Sequence, residues 1–202
     1  MNKKLFITLV LLQFTIGTRA LLGQDINNND LKVKIDTYLN SSVANGYSAS
    51  ILVAKKGDII LSKGYGWSDR NNKILNTSSS VFNIGSITKQ FTAAAILKLV
   101  EQGKLSTSDH LGEFYSKVPS DKKNITIHQL LTHTTGISPA TGGFRYDEAT
   151  KEQFLKEFFE AKLQSAPGTK HQYANANYIM LSAIIEFVSG QDYSAFLQEN
   201  FW

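Results

Sequence analysis

No cysteine occurs anywhere in the chain. That absence excludes a disulfide framework, a thiol nucleophile, a thiolate metal site and attachment of lipid to a cysteine. Histidine offers no substitute metal site: His110, His128, His133 and His171 lack the i, i+4 spacing that turns two imidazoles to one helix face. No metal and no cofactor is expected, and these histidines read as ordinary polar or capping residues. Surplus charge of one sign is scarce as well. The formal net charge is +4, but Lys3, Lys4 and Arg19 sit in the N-terminal segment, and removing those three leaves +1. Without a Lys/Arg stripe carrying interleaved aromatics, a nucleic-acid partner is not expected. The chain also has no internal repeat and no low-complexity tract.

Long hydrophobic runs are missing too. The apolar stretch from Leu5 to Ile16 is interrupted by Gln13 and is short for a membrane span. A basic start precedes it and small residues lead to Ala20, so residues 1–24 read as a secretory signal cleaved near Ala20; a membrane anchor is the competing reading. The expectation is an exported protein, periplasmic or secreted, with no stable membrane span after cleavage and one mature domain over residues 25–202. At 202 residues, 42% hydrophobic and 19% charged, the chain has the make-up of a globular protein with a sizeable core.

From Asp30, the apolar residues Leu31, Ile35, Tyr38 and Leu39 recur at helical spacing, which predicts a short amphipathic helix ending near Asn45-Gly46. The period then changes to that of strands. Residues 49–54 and 59–62 flank Lys55-Lys56-Gly57-Asp58, which predicts a hairpin with a tight turn. Ser68 to Ser80 reads as a polar loop, and Leu105 to Asp121 as irregular. An apolar helix over Thr92 to Val100 is expected to stop at Gly103. Thr126 caps a short helix, and the small polar residues of Thr132 to Pro139 mark a loop continuing through Gly142-Gly143 to Asp147. Thr150 with Gln153 forms a capping box opening a helix that buries Phe154, Leu155, Phe158 and Phe159. Lys162 to Lys170 reads as a solvated connection, followed by helices from Tyr178 to Val188 and from Asp192. Helix, hairpin, then mostly helices is an α+β order. A lone hairpin is not a stable sheet. With the apolar ending Phe201-Trp202, it gives the expectation of a truncated chain whose remaining strands are missing.

Two segments carry chemistry. In Phe82-Asn83-Ile84-Gly85-Ser86-Ile87-Thr88-Lys89, Lys89 lies at i+3 from Ser86, so both side chains share a helix face. A serine hydroxyl needs a base to take its proton, and the positive end of a helix favours negative charge developing there. Read alone, the same letters describe a serine N-cap followed by an exposed lysine. About eighty residues on, after Pro167-Gly168, comes Tyr173-Ala174-Asn175, whose alternate positions turn a phenol and an amide to one side of an extended segment. Read alone, it is equally a core tyrosine and an asparagine cap.

Taken together and in order, these segments are far more specific. With Leu130-Leu131-Thr132-His133-Thr134-Thr135-Gly136, Pro167-Gly168-Thr169 and Ile184-Ile185-Glu186-Phe187-Val188-Ser189-Gly190, the stretch from Ser48 to Trp202 resembles the class C β-lactamase-related serine hydrolases. That group shares its fold with penicillin-binding proteins and D-alanyl-D-alanine carboxypeptidases. The resemblance implies a β-lactamase/transpeptidase-like fold in which Ser86 is the acylated nucleophile and Lys89 its base or proton relay. Tyr173 would exchange protons with Ser86 and the leaving group, and Asn175 would bind the amide side chain of a small-molecule or peptide substrate. The backbone N–H of Ser86 would serve as one oxyanion donor. The family's third motif, Lys-Thr-Gly or His-x-Gly on a strand, does not follow Tyr-x-Asn in this chain; Gly168-Thr169-Lys170 has its letters in the wrong order. Two functions are therefore carried forward: a serine hydrolase acting on a β-lactam, D-alanyl peptide or small ester, and a catalytically inactive truncated or binding remnant of the same fold.

Overall fold

The computed structural model describes residues 27–142 and 150–202. The expected signal segment lies outside the described residues, as does the loop from Gly143 to Asp147. Within this range the chain divides into two compact units, one ending at Asn83 and one running from Ile84 to Trp202.

In the first unit, the Asn27 side chain accepts the Asn29 N–H at 2.9 Å and starts helix α1 (Asn28–Val43), two residues earlier than its apolar spacing predicts. Leu31, Ile35 and Leu39 face inward as expected, but Tyr38 is 70% exposed because it falls off that stripe. Strands β1 (Ala49–Lys55) and β2 (Asp58–Tyr65) pair antiparallel around Lys56-Gly57. Both turn residues have positive φ, 54° and 91°, which is what a two-residue hairpin turn matched to strand twist requires. Asp36 ties α1 to β2, accepting from Lys63 Nζ and the Tyr65 hydroxyl at 2.7 Å each. Lys63 and Tyr65 hold the Asp36 carboxyl below its usual range, while burial and Asp36 push the Tyr65 phenol up to about 12. The polar stretch expected to be a loop contains a second small hairpin, β3 (Trp67–Asp69) and β4 (Ile74–Leu75). Its turn is held by Asp69, which accepts from the backbone and side chain of Asn72, a local bond that no hydrophobic alternation announces.

The second unit is helical. A 3₁₀ turn over Gly85–Ile87 leads into α2 (Thr88–Glu101), followed by α3 (Leu111–Phe114), α4 (Ile127–Leu131), α5 (Lys151–Glu160), α6 (Asn175–Ser189) and α7 (Tyr193–Phe201). Capping boxes open α4 at Thr126 and α5 at Thr150, and Gly190 closes α6 in the left-handed conformation at φ 73°. The short helix α3, in a stretch read as irregular, is held by a capping box of His110 and Glu113. Helix α6 is central and packs on α2, α4, α5 and α7. Met180, Leu181, Ile184 and Ile185 meet Ile96, Leu99, Leu130 and Phe158, all fully buried. Glu186 closes α6 on its neighbours by accepting from Lys151 Nζ at 2.7 Å and from the Tyr193 N–H at 3.1 Å. Among the described residues, strands are confined to residues 49–75, so the fold is α+β with strands and most helices segregated along the chain.

The connection from Lys162 to Lys170 is not merely solvated. It runs antiparallel beside the Thr132–Pro139 loop, with Gln164 N–H donating to Gly136 C=O at 2.8 Å, Gly168 N–H to Thr134 C=O at 2.7 Å and Gln172 N–H to His133 C=O at 2.8 Å. Gly136 makes this approach possible: its φ is 78°, and a Cβ there would collide with the Ser165 carbonyl. Gly136→Ala is therefore expected to lose about 1–3 kcal/mol of stability, measured by denaturant unfolding at constant m. An unchanged midpoint would show that the two loops separate freely.

Candidate active site

Ser86 occupies the middle of the 3₁₀ turn, not the cap of α2. The capping position belongs to Ile87, which makes no side-chain cap bond, so the serine hydroxyl is not committed to a backbone N–H. One turn later Lys89 projects from the same face, and its Nζ donates to Ser86 Oγ at 3.3 Å. Tyr173 ends the extended connection and Asn175 is the first residue of α6, with Ala174 as the cap, so the asparagine amide is likewise not used as a helix cap. The i, i+2 spacing turns both side chains one way, and the Tyr173 hydroxyl donates to Asn175 Oδ1 at 3.1 Å.

The packing of α6 against α2 brings the two pairs together. Ser86 Oγ and Tyr173 Oη are 2.8 Å apart across 87 residues of sequence, and Lys89 Nζ donates to Asn175 Oδ1 at 2.8 Å. All four residues expected at the site thus meet in one hydrogen-bonded cluster. Tyr173 is 45% exposed, so it is not a core tyrosine. Lys89 has only neutral oxygens as hydrogen-bond partners, with Nζ 5.0 Å from the Tyr173 ring centroid and 5.6 Å from that of Tyr178. Cation–π contact at this distance favours holding the ammonium over the rings. The neighbouring Lys89, and next the Ser86 hydroxyl, hold the Tyr173 phenol below its usual value of 10. Both bonds to Asn175 fall on its oxygen, which leaves the two amide N–H donors unused by the cluster. A serine hydroxyl 2.8 Å from a phenol of raised acidity can pass its proton to that phenol's deprotonated form and attack an electrophilic carbon.

Sequence reasoning missed the support behind this cluster. The His133 ring lies 4.6 Å from the Tyr173 ring and 5.1 Å from that of Tyr178, and Nδ2 of buried Asn177 lies 3.3 Å from His133 Nδ1. The signal was present, since His133 falls within a stretch of the resemblance, but a loop of small polar residues carries no indication of where its imidazole points. Among the described residues, no group of three or more His, Asp or Glu could hold a metal ion, and no helix is long and apolar enough to cross a membrane.

Comparison with known proteins fixes the family. The beta-lactamase family model matches residues 38–202. The chain belongs to the beta-lactamase family. Its fold is accordingly β-lactamase/transpeptidase-like. This beta-lactamase family member is 34% identical over 184 residues to Protein flp of Staphylococcus aureus, covering 86% of this chain and 36% of that protein. It is similar to the octameric penicillin-binding protein homologue of Pyrococcus abyssi, with 30% identity and a TM-score of 0.71 over 83% of this chain and 41% of that one. It also resembles the D-amino acid amidase of Ochrobactrum anthropi, with 25% identity and a TM-score of 0.73 over 85% and 49%. The chain thus spans about a third of the length of the curated relative and less than half of each of these structures.

Proposed function

We propose that this protein is an exported serine hydrolase that forms an acyl-enzyme at Ser86 on an amide or ester. The observation that carries the reading is the 2.8 Å approach of Ser86 Oγ to the Tyr173 phenol, with Lys89 bonded to the same serine oxygen. In its deprotonated form Tyr173 takes the Ser86 proton as Oγ forms a bond to the substrate carbonyl carbon. The carbonyl π electrons move onto oxygen, where the Ser86 backbone N–H is one donor. Tyr173 then returns the proton to the leaving nitrogen or oxygen as that bond breaks, leaving an ester on Ser86. Water hydrolyses the ester by the same proton route in reverse. Lys89 supplies positive charge beside the phenolate throughout, and Asn175 offers its amide N–H groups to a carbonyl on the substrate.

Candidate substrates are β-lactams, D-alanyl peptides and small esters, which share an activated or peptide-like carbonyl. The names of the relatives, penicillin-binding protein homologue and D-amino acid amidase, agree with acyl chemistry on such carbonyls. The basic, then apolar, start of the chain supports export. Incubation with a fluorescent penicillin or a fluorophosphonate, followed by peptide mapping, is expected to place one covalent adduct on the peptide carrying Ser86. Well-folded protein that takes up neither probe would favour the catalytically inactive remnant instead.

A further inference from the structure

His133 is the one non-glycine residue of the second unit with a left-handed backbone among those described, at φ 56°. An imidazole-bearing residue occupies that region at a steric cost, which persists only where surrounding contacts enforce it. Here three of the contacts converge on one neighbour. The His133 carbonyl accepts the N–H of Gln172 at 2.8 Å, and His133 Nδ1 accepts the N–H of Ala174 at 3.3 Å. These are the residues immediately before and after Tyr173. The His133 ring itself packs on the Tyr173 ring, with centroids 4.6 Å apart and planes tilted by 35°.

We infer that His133 is the positioning residue for Tyr173, gripping its backbone on both sides and backing its ring so that the phenol is held at Ser86. The inference rests on the hydrolase reading only for its catalytic consequence; the grip itself is independent of it.

The grip requires a neutral imidazole. Nδ1 accepts from Ala174 and lies 3.3 Å from Asn177 Nδ2, while Asn177 Oδ1 accepts from the Thr135 hydroxyl at 2.8 Å. With its oxygen engaged by Thr135, Asn177 presents an N–H to His133, so Nδ1 is bare and the ring proton sits on Nε2. Protonating Nδ1 would turn the acceptor into a donor facing two donors. The titratable groups around the ring favour no such proton: Lys89 on α2, His171 and Tyr173 on the connection and Tyr178 on α6, with no carboxylate among the ring's contacts. Burial, then Lys89 and His171, hold the imidazole below its ordinary 6.5. A base whose folded value is depressed leaves the unfolded chain binding the extra proton, so stability falls as pH drops from about 6.5 toward that lower value. The geometry of Tyr173 should loosen over the same range.

The test uses the full chain carrying tyrosine labelled with ¹³C at Cζ, with Tyr173 assigned by Tyr173→Phe. In the parent, the Tyr173 signal is expected to titrate below the usual 10 and to shift again in step with His133 protonation as pH is lowered below 6.5. His133→Ala is expected to return the Tyr173 phenol toward 10 and to lower the maximal acylation rate roughly 10- to 100-fold, with the concentration for half-saturation by the probe little changed. In His133→Asn, the amide oxygen stands where Nδ1 was and asparagine tolerates the left-handed backbone. That variant is expected to keep the lowered phenol and lose the low-pH shift. A Tyr173 titration identical in parent and His133→Ala overturns the inference. If His133→Ala does not fold, persistence of the low-pH shift in His133→Asn overturns it equally. Because Tyr173 is read without any probe, a parent protein that takes no label refutes the hydrolase reading while the titration still decides the positioning.

Discussion

Ser86→Ala is expected to abolish covalent labelling by a penicillin or fluorophosphonate and to lower any hydrolytic turnover on the order of a million-fold, as loss of a nucleophile does elsewhere. No other described hydroxyl is bonded to both Lys89 and Tyr173, so none stands ready to substitute. The fold should survive. Ser86 is exposed and does not cap α2, and its hydroxyl bonds only within the cluster. Substitutions at such positions usually change stability within about 0.5 kcal/mol. The check pairs gel fluorescence after probe treatment with thermal unfolding of the same sample. Label retained by folded Ser86→Ala protein would assign the adduct to another residue and remove Ser86 as nucleophile.

Tyr173→Phe should be the next most damaging change, with acylation reduced roughly 10²- to 10⁴-fold, the span of a positioned general base. The ring that packs on His133 is kept, so the loss isolates the phenol oxygen 2.8 Å from Ser86 Oγ. The pH dependence carries the sign. Lys89 and Ser86 hold the phenol below 10, and a base acts only when deprotonated, so the parent's acylation rate should rise with pH and level off before pH 10. Tyr173→Phe should lack that rise. Stopped-flow acylation across pH measures both features. A parental rate and profile in the variant would move the proton-accepting role to Lys89.

Much of the local structure was legible from spacing. The capping boxes at Thr126 and Thr150 state their own hydrogen bonds within four residues, and Lys56-Gly57 names its turn because few residues accept positive φ there. The polar hairpin after Trp67 was missed because its strands are only a few residues long and its turn depends on side-chain bonds from Asp69. Helix α3 was missed for a similar reason, being a single turn secured by Glu113 accepting from the His110 N–H at 3.0 Å. In each case the deciding contact lies outside the periodicity by which helices and strands are recognised.

At the site the division is sharper. Residue order alone determined two chemical pairs, Ser86 with Lys89 at i+3 and Tyr173 with Asn175 at i+2, because helix pitch and strand alternation make those neighbours wherever the segments lie. It left open whether each pair was catalytic or merely a cap with an exposed partner. What the tertiary structure decided is that neither Ser86 nor Asn175 serves as a helix cap and that the two pairs meet, because α6 packs on α2 through a buried core and closes a gap of 87 residues to one hydrogen bond. The left-handed turn at His133 belongs to the same class of decision. Backbone strain of that kind is compensated by contacts from far along the chain, and no local pattern of residues encodes those contacts.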